Sequence, residues 1–122
     1  MIAAALLCLA SAVYHEARGE STAGKQAVAL VTMNRARGNP RRVCPEVHKT
    51  GQYSWVGKGL PKKEREAWLR SREIAADVLY GRVDDFTGGA TYFHARTARP
   101  VWRHKLKYLM TIGGHRFYRP YK

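Results

Sequence analysis

Ile2, Leu6, Leu9 and Val13 follow one another at intervals of four, three and four residues, the repeat of one helical face. Glu16 comes next on that repeat, three positions after Val13, so a carboxylate continues an apolar stripe instead of facing water. Gly19 is expected to stop this helix. Ser21 or Thr22 suits the cap of a second helix through Ala27, Leu30, Val31 and Asn34, closed by Gly38-Asn39-Pro40. A short helical turn is expected between Arg41 and Lys49, around Val43 and Val47. Pro61 and Gly81 bracket a long helix. Its buried side takes Trp68, Ala75, Val78 and Leu79, and its wet side mostly Lys62, Lys63, Arg65, Arg70 and Arg72.

After Gly88-Gly89 the period changes to two. Ala90, Tyr92 and His94 would share one strand face, with Thr91 and Phe93 on the other. Leu106, Tyr108, Met110 and Ile112 alternate along a second strand, and Gly113-Gly114 suits a hairpin turn into a third strand from His115 to Tyr118. Helices followed by a small antiparallel sheet predict an α+β domain. Between the halves, Gln52-Tyr53-Ser54-Trp55 lies among Gly51, Gly57 and Gly59, a loop whose aromatic and polar groups suit binding.

The 122 residues make one domain, 1–122, and 45% hydrophobic with 25% charged residues exclude a disordered tail or a membrane bundle. Charge changes the picture more. The chain has 22 Lys+Arg against 9 Asp+Glu, a net charge of +13 and a pI near 10.3, which favours a polyanionic partner. Nucleic acid, an anionic membrane surface and the bacterial wall all qualify, and charge alone does not choose. Cys8 and Cys44 form no Cys-x-x-Cys pair and are read as buried free thiols. The apolar run Ile2–Val13 has no basic residue before it and falls short of the roughly 20 residues of a membrane span. It is therefore read as the first helix and not as a targeting segment.

Glu16, desolvated at the end of an apolar face, should be protonated more readily than a free carboxylate, and so could donate to a glycosidic oxygen. Pairing with an arginine to close the helix end is the competing role. Glu20 lies past the glycine, where it could cap the second helix, and Arg18 points away from Glu16 toward the polymer or a surface pair. Asp84 and Asp85 are the obvious candidates for a second carboxylate, but their turn position favours making the turn. A zinc amidase built on His15, His94, His104 or His115 lacks any close ligand pair. A nucleic-acid-binding module accounts for the charge and for the basic, aromatic C-terminal part, but leaves the Glu16 block and the Asp85–His94 block without a purpose.

Those blocks, in order, carry a resemblance. Tyr14-His15-Glu16-Ala17-Arg18-Gly19-Glu20, Gly24-Lys25-Gln26-Ala27-Val28-Ala29 and Asn34-Arg35 open it. Gln52-Tyr53-Ser54-Trp55, the run Asp85–His94 and Ile112-Gly113-Gly114-His115-Arg116-Phe117-Tyr118 complete it. The ordered set resembles the SleB-like cell-wall hydrolases, the spore-cortex-lytic enzymes and their bacterial and phage relatives. The resemblance implies a lysozyme-like domain, mainly helical with a three-stranded antiparallel sheet. It implies a lytic transglycosylase that cuts between N-acetylmuramic acid and N-acetylglucosamine, with Glu16 as sole acid/base and no metal or other cofactor. A lysozyme-type muramidase is the nearest alternative.

Gln52, Ser54, Trp55, Tyr92, His94, Trp102 and His115 are then expected to hold the sugar, and Glu20, Arg18 and Asn34 to support the site. The expected partner is peptidoglycan on an anionic wall or outer-membrane surface, with no nucleic acid, and the protein a monomer. Synthesis in the cytoplasm and release to the wall, as for a phage lysin, is the expected route. Two departures bear on wall chemistry and not on cutting: a glycine before His115 where relatives often carry a polar or basic residue, and the unusually basic run Arg99–Lys107. No wall-binding module is recognisable.

Overall fold

The computed structural model describes residues 2–49 and 64–122. Four helices precede a three-stranded sheet: α1 (Ile2–Ala17), α2 (Thr22–Arg35), α3 (Val43–Val47), α4 (Arg65–Leu79), then β1 (Tyr92–Ala95), β2 (Lys107–Ile112) and β3 (His115–Arg119). The strands are antiparallel in the order β1-β3-β2, the α+β arrangement expected.

α1 is the central post and not an amphipathic surface helix. Ala5, Leu9, Ala10, Ala12, Val13, Tyr14 and Ala17 are all buried, and α2, α3 and α4 each pack on it. Burial on every side explains why its second half is apolar beyond one stripe. Ile2, the first residue of that stripe, is exposed. The helix ends at Ala17, and Gly19 lies in the exposed turn beyond it without a left-handed backbone.

Ser21 caps α2, its hydroxyl accepting from the Gly24 amide at 3.2 Å. Glu20 therefore does not have the capping role expected of it. α3 follows a short 3-10 turn at Pro40–Arg42. α4 ends as Gly81 predicts: Gly81, at φ +75°, donates to Val78 O and Arg82 donates to Asp77 O, capping the last carbonyls. Its start differs from the expectation at Pro61, which lies outside the described residues along with Lys62 and Lys63. Glu64 has left-handed φ +55°, which breaks the helix just before Arg65. That conformation costs on the order of 1 kcal/mol for a non-glycine residue, and it accompanies two side-chain bonds that draw Glu64 onto the end of α1 and the turn after it.

Cys8 on α1 and Cys44 on α3 are paired in a disulfide, with a Cα–Cα distance of 5.4 Å. This corrects the free-thiol expectation. The 36-residue separation is uninformative in sequence, but the α1–α3 packing brings the two side chains face to face. Closing a loop of that length stabilises the fold by about 4 kcal/mol in the chain-entropy account.

The sheet packs one face on α2, where Phe117, Ala90, Ala27 and Val31 are buried with Phe93, Leu109, Met110 and Ile112 around them. A bulge between Tyr108 and Met110 breaks the alternation expected along β2. Tyr108 consequently stays exposed while Leu109 and Met110 both reach the core. Among the described residues no helix is long and apolar enough to cross a membrane.

Candidate active site

Glu16 is the penultimate residue of α1, half-buried in its last turn. The packing of Leu9, Val13 and Ala17 in the core anchors that turn. Tyr14 and Arg18, two positions to either side of Glu16, lie on the opposite face of the turn by helical geometry. Both hold Glu64: the Tyr14 hydroxyl donates to Oε2, and Arg18 Nε sits 3.0 Å from the same oxygen. The hydrogen bond to Glu64, then burial, then the Glu64 charge push the Tyr14 phenol above its ordinary range, with Arg18 opposing. Arg18 thus makes the surface pair that was one of its two expected roles. Glu64 was missed in the sequence. It sits in a run of charges and meets a residue 50 positions away, so no local pattern marks it.

Glu20 ties the elbow between α1 and α2 to the hairpin tip. Its Oε1 accepts from the Gly114 amide at 2.9 Å. The approach is close enough that a Cβ at Gly114 would meet Oε2 at 2.7 Å, and one at Gly113 (φ +55°) would collide with Oε1. A side chain at either position would push the Glu20 carboxylate aside, and at Gly113 the left-handed backbone favours glycine in any case. Asn34 holds the other end of the sheet, donating to Asp85 Oδ2 at 3.0 Å and to the Ala90 carbonyl at 2.9 Å.

Asp85 accepts four hydrogen bonds, from the Thr87 amide and hydroxyl, the Gly89 amide and Asn34. Burial pushes its carboxyl up, but these donors outweigh it and hold the group below the usual carboxylate range. It stays ionised and makes the turn.

Tyr92, His94 and Trp102 come together on the outer face of the sheet. Trp102, from the 3-10 turn Val101–His104, packs on Tyr92 and His94 with ring centroids 5.4 and 5.6 Å apart, and on Tyr118 at 5.5 Å. His94 stacks on Tyr118 at 5.2 Å. Its Nδ1 lies 2.7 Å from the Ala95 carbonyl, which can only accept, so Nδ1 carries the proton and the Tyr118 hydroxyl donates to Nε2 at 2.9 Å. Arg35 lies over the Tyr92 ring at 5.1 Å.

His115 does not join them. β3 alternation puts it on the opposite, helix-facing side, against Phe93 at 5.1 Å and near Glu20. Burial lowers its pKa, the Glu20 charge opposes, and His94 adds to the lowering; its Nδ1 is buried without a hydrogen-bond partner, as suits a neutral ring. Gln52, Ser54 and Trp55 lie outside the described residues. Among the described residues no cluster of three or more His, Cys, Asp or Glu side chains is placed to hold a metal.

A buried central helix with Glu16 in its last turn, followed by a small antiparallel sheet, is the arrangement of the lysozyme-like class. The solved structures agree. The catalytic domain of the germination-specific lytic transglycosylase SleB from Bacillus anthracis matches with a TM-score of 0.76 and 28% identity, over 94% of this chain and 93% of that one. The SleB catalytic domain of Bacillus cereus matches at 0.75 and 29%, over 94% and 89%. Residues 19–118 match the family model described as Cell Wall Hydrolase, and the chain belongs to that family. Spore cortex-lytic enzymes of Halalkalibacterium halodurans and Oceanobacillus iheyensis are 34% and 33% identical to it, each over 89% of this chain. The chain spans 33% and 39% of those two proteins' lengths. The family match starts three positions after Glu16, while the structural matches cover 94% of the chain.

Proposed function

We propose that the protein is a peptidoglycan lytic transglycosylase that cuts the β-1,4 bond between N-acetylmuramic acid and N-acetylglucosamine, with Glu16 as its single acid/base. Glu16 donates its proton to the leaving oxygen. As a carboxylate it then takes the proton of the muramic acid 6-hydroxyl, whose oxygen closes on C1 to give a 1,6-anhydro end. The similarity to a SleB catalytic domain described as a lytic transglycosylase supports the reaction class, and the Cell Wall Hydrolase family match supports the substrate.

The observation that carries the one-carboxylate mechanism is the disposition of the other acids. A conventional glycosidase needs a second carboxylate about 5 or 6.5–9.5 Å away. Asp85 is saturated with donors, Glu64 is held by Tyr14 and Arg18, and Glu46, Glu73 and Asp77 face arginines. Glu66 and Asp84 are exposed, on α4 and in the loop before Asp85. Attack by the substrate's own hydroxyl requires none of them. Glu20, tied to the hairpin by one main-chain bond, is the carboxylate that lysozyme-type hydrolysis would recruit.

Tyr92, His94 and Trp102 form the stacking wall of the sugar groove in this account, with Gln52, Ser54 and Trp55 on the segment between Lys49 and Glu64. The net charge of +13 holds the enzyme to the anionic wall. A disulfide between Cys8 and Cys44 suits action outside a reducing cytoplasm, after release in the manner of a phage lysin. An exported, cleaved precursor would contradict that route.

Mass spectrometry of muropeptides released from purified peptidoglycan in 18O water tests the reaction. Anhydro-muramic acid ends without label are expected. Labelled reducing ends would mean hydrolysis and bring Glu20 forward, and no release would remove the enzyme reading.

A further inference from the structure

The sheet's outer aromatic face is flanked by two basic hollows that differ in how their charge is used. At the Tyr92 end, Arg35, Arg37, Arg42 and Lys49 share a hollow with Glu46, which pairs with both Arg35 and Lys49. At the Ala95 end, a hollow of about 480 Å³ is lined by Ala95, Arg96, Thr97, Arg99, Gly114 and Arg116, with no acid among them. No ion pair among the described residues involves Arg96, Arg99 or Arg116, whereas Arg18, Arg35, Arg70 and Arg82 each face a carboxylate. Arg116 Nε is buried and has no hydrogen-bond partner. Arg99 is folded back, its Nη1 donating to the Arg96 and Ala98 carbonyls, which fixes the loop that carries it. Three guanidinium groups on a braced loop and strand, one with a buried donor that no hydrogen bond uses, gather positive charge at this hollow.

Position says which anion. The Gly114 carbonyl accepts from the Arg96 amide at 2.8 Å, and the Gly114 amide donates to Glu20. The hollow is therefore one glycine away from the elbow that follows Glu16. We propose that this hollow is a subsite for a carboxylate of the peptide stem borne by the muramic acid at the cut. The proposal rests on the glycan-cleaving function above. An anion attached to the sugar under attack must fall beside the catalytic helix end, which a separate wall polymer need not do. The planar guanidinium fork also matches a carboxylate with two parallel hydrogen bonds.

The test compares kcat/KM on glycan strands with native stems and on the same strands after their stem carboxylates are converted to amides. The wild type is expected to prefer native strands by roughly tenfold, the scale of a hydrogen bond to a charged group. Arg96→Gln and Arg116→Gln are expected to bring that ratio close to one, while Arg82→Gln, which removes the same charge elsewhere, keeps it. If Arg116→Gln lacks a cooperative melt, Arg96→Gln, on the exposed loop, decides. Equal cutting of both substrates by the wild type, or a preference that survives in Arg96→Gln, overturns the subsite and leaves glycan cleavage standing. A wild type indifferent to amidation but slowed on walls stripped of phosphodiester polymer reassigns the hollow and overturns it too. Cutting of neither substrate removes the glycan-cleaving function, and the subsite with it.

Discussion

The two faces of the small sheet are drawn from alternate residues of the same strands, yet they are organised differently. On the helix-facing side, Phe93, His115 and Phe117 pack against α2, and the contacts are apolar apart from one neutral, buried histidine. On the outer side, Tyr92, His94 and Tyr118 hydrogen-bond or stack beneath Trp102, with Arg35 at one end and Arg116 at the other. The outer face presents the partly exposed rings of Tyr92 and Trp102 over the buried His94–Tyr118 pair, an aromatic surface of the kind a sugar ring stacks on. Period two thus separates the residues that pack on α2 from those that the proposed function assigns to the sugar.

Four substitutions sharpen or break that division. Phe117→Ala should have the largest effect, a loss of about 3–5 kcal/mol in urea unfolding from emptying a fully buried site. A loss below 1 kcal/mol would deny the inner face its structural role. Trp102→Ala should raise KM for peptidoglycan about tenfold while costing less than half as much stability. If stability falls as far as in Phe117→Ala and KM does not move, the outer face is core as well. Tyr118→Phe removes the donor to His94 Nε2 and should cost about 1–2 kcal/mol, since that nitrogen is left buried and unpaired.

His115 gives the smallest effect and one with a definite sign. Its folded-state pKa lies below the ordinary 6.5, so as pH falls through 6.5 the unfolded chain binds the proton first. Stability should decline from that point down through the lowered folded-state value and then level off. In His115→Gln the loss between pH 7.5 and 5 should be smaller, and an unchanged slope would place the acid sensitivity elsewhere.

The division of the sheet was partly legible in sequence. Tyr92 and His94 against Phe93 follows from alternation, and the glycine pair at 113–114 marks the hairpin. Strand pairing is visible in the sequence but the face is not, so nothing there separates His115 from the expected sugar contacts. Only the register, Ala95 opposite His115 and Tyr92 opposite Tyr118, sorts them. The β2 bulge was invisible, because one extra residue leaves no compositional mark. In the helical half, α1 read as one stripe because periodicity reports one covered side, while its burial comes from three helices that arrive later in the chain. Glu64, Glu20 with Gly114 and the Cys8–Cys44 bond share one cause. Each joins residues 36 to 94 positions apart, and local pattern does not reach that far.

The central claim is that one carboxylate, at the end of a buried central helix, moves the protons of the reaction. Turnover of purified peptidoglycan by Glu16→Gln, measured beside its melting temperature, tests it most directly. General acid–base groups contribute about 10²–10⁴-fold, so turnover should drop by that factor or more while the melt stays within a few degrees of wild type. A folded Glu16→Gln protein that retains activity within tenfold of wild type would contradict the account.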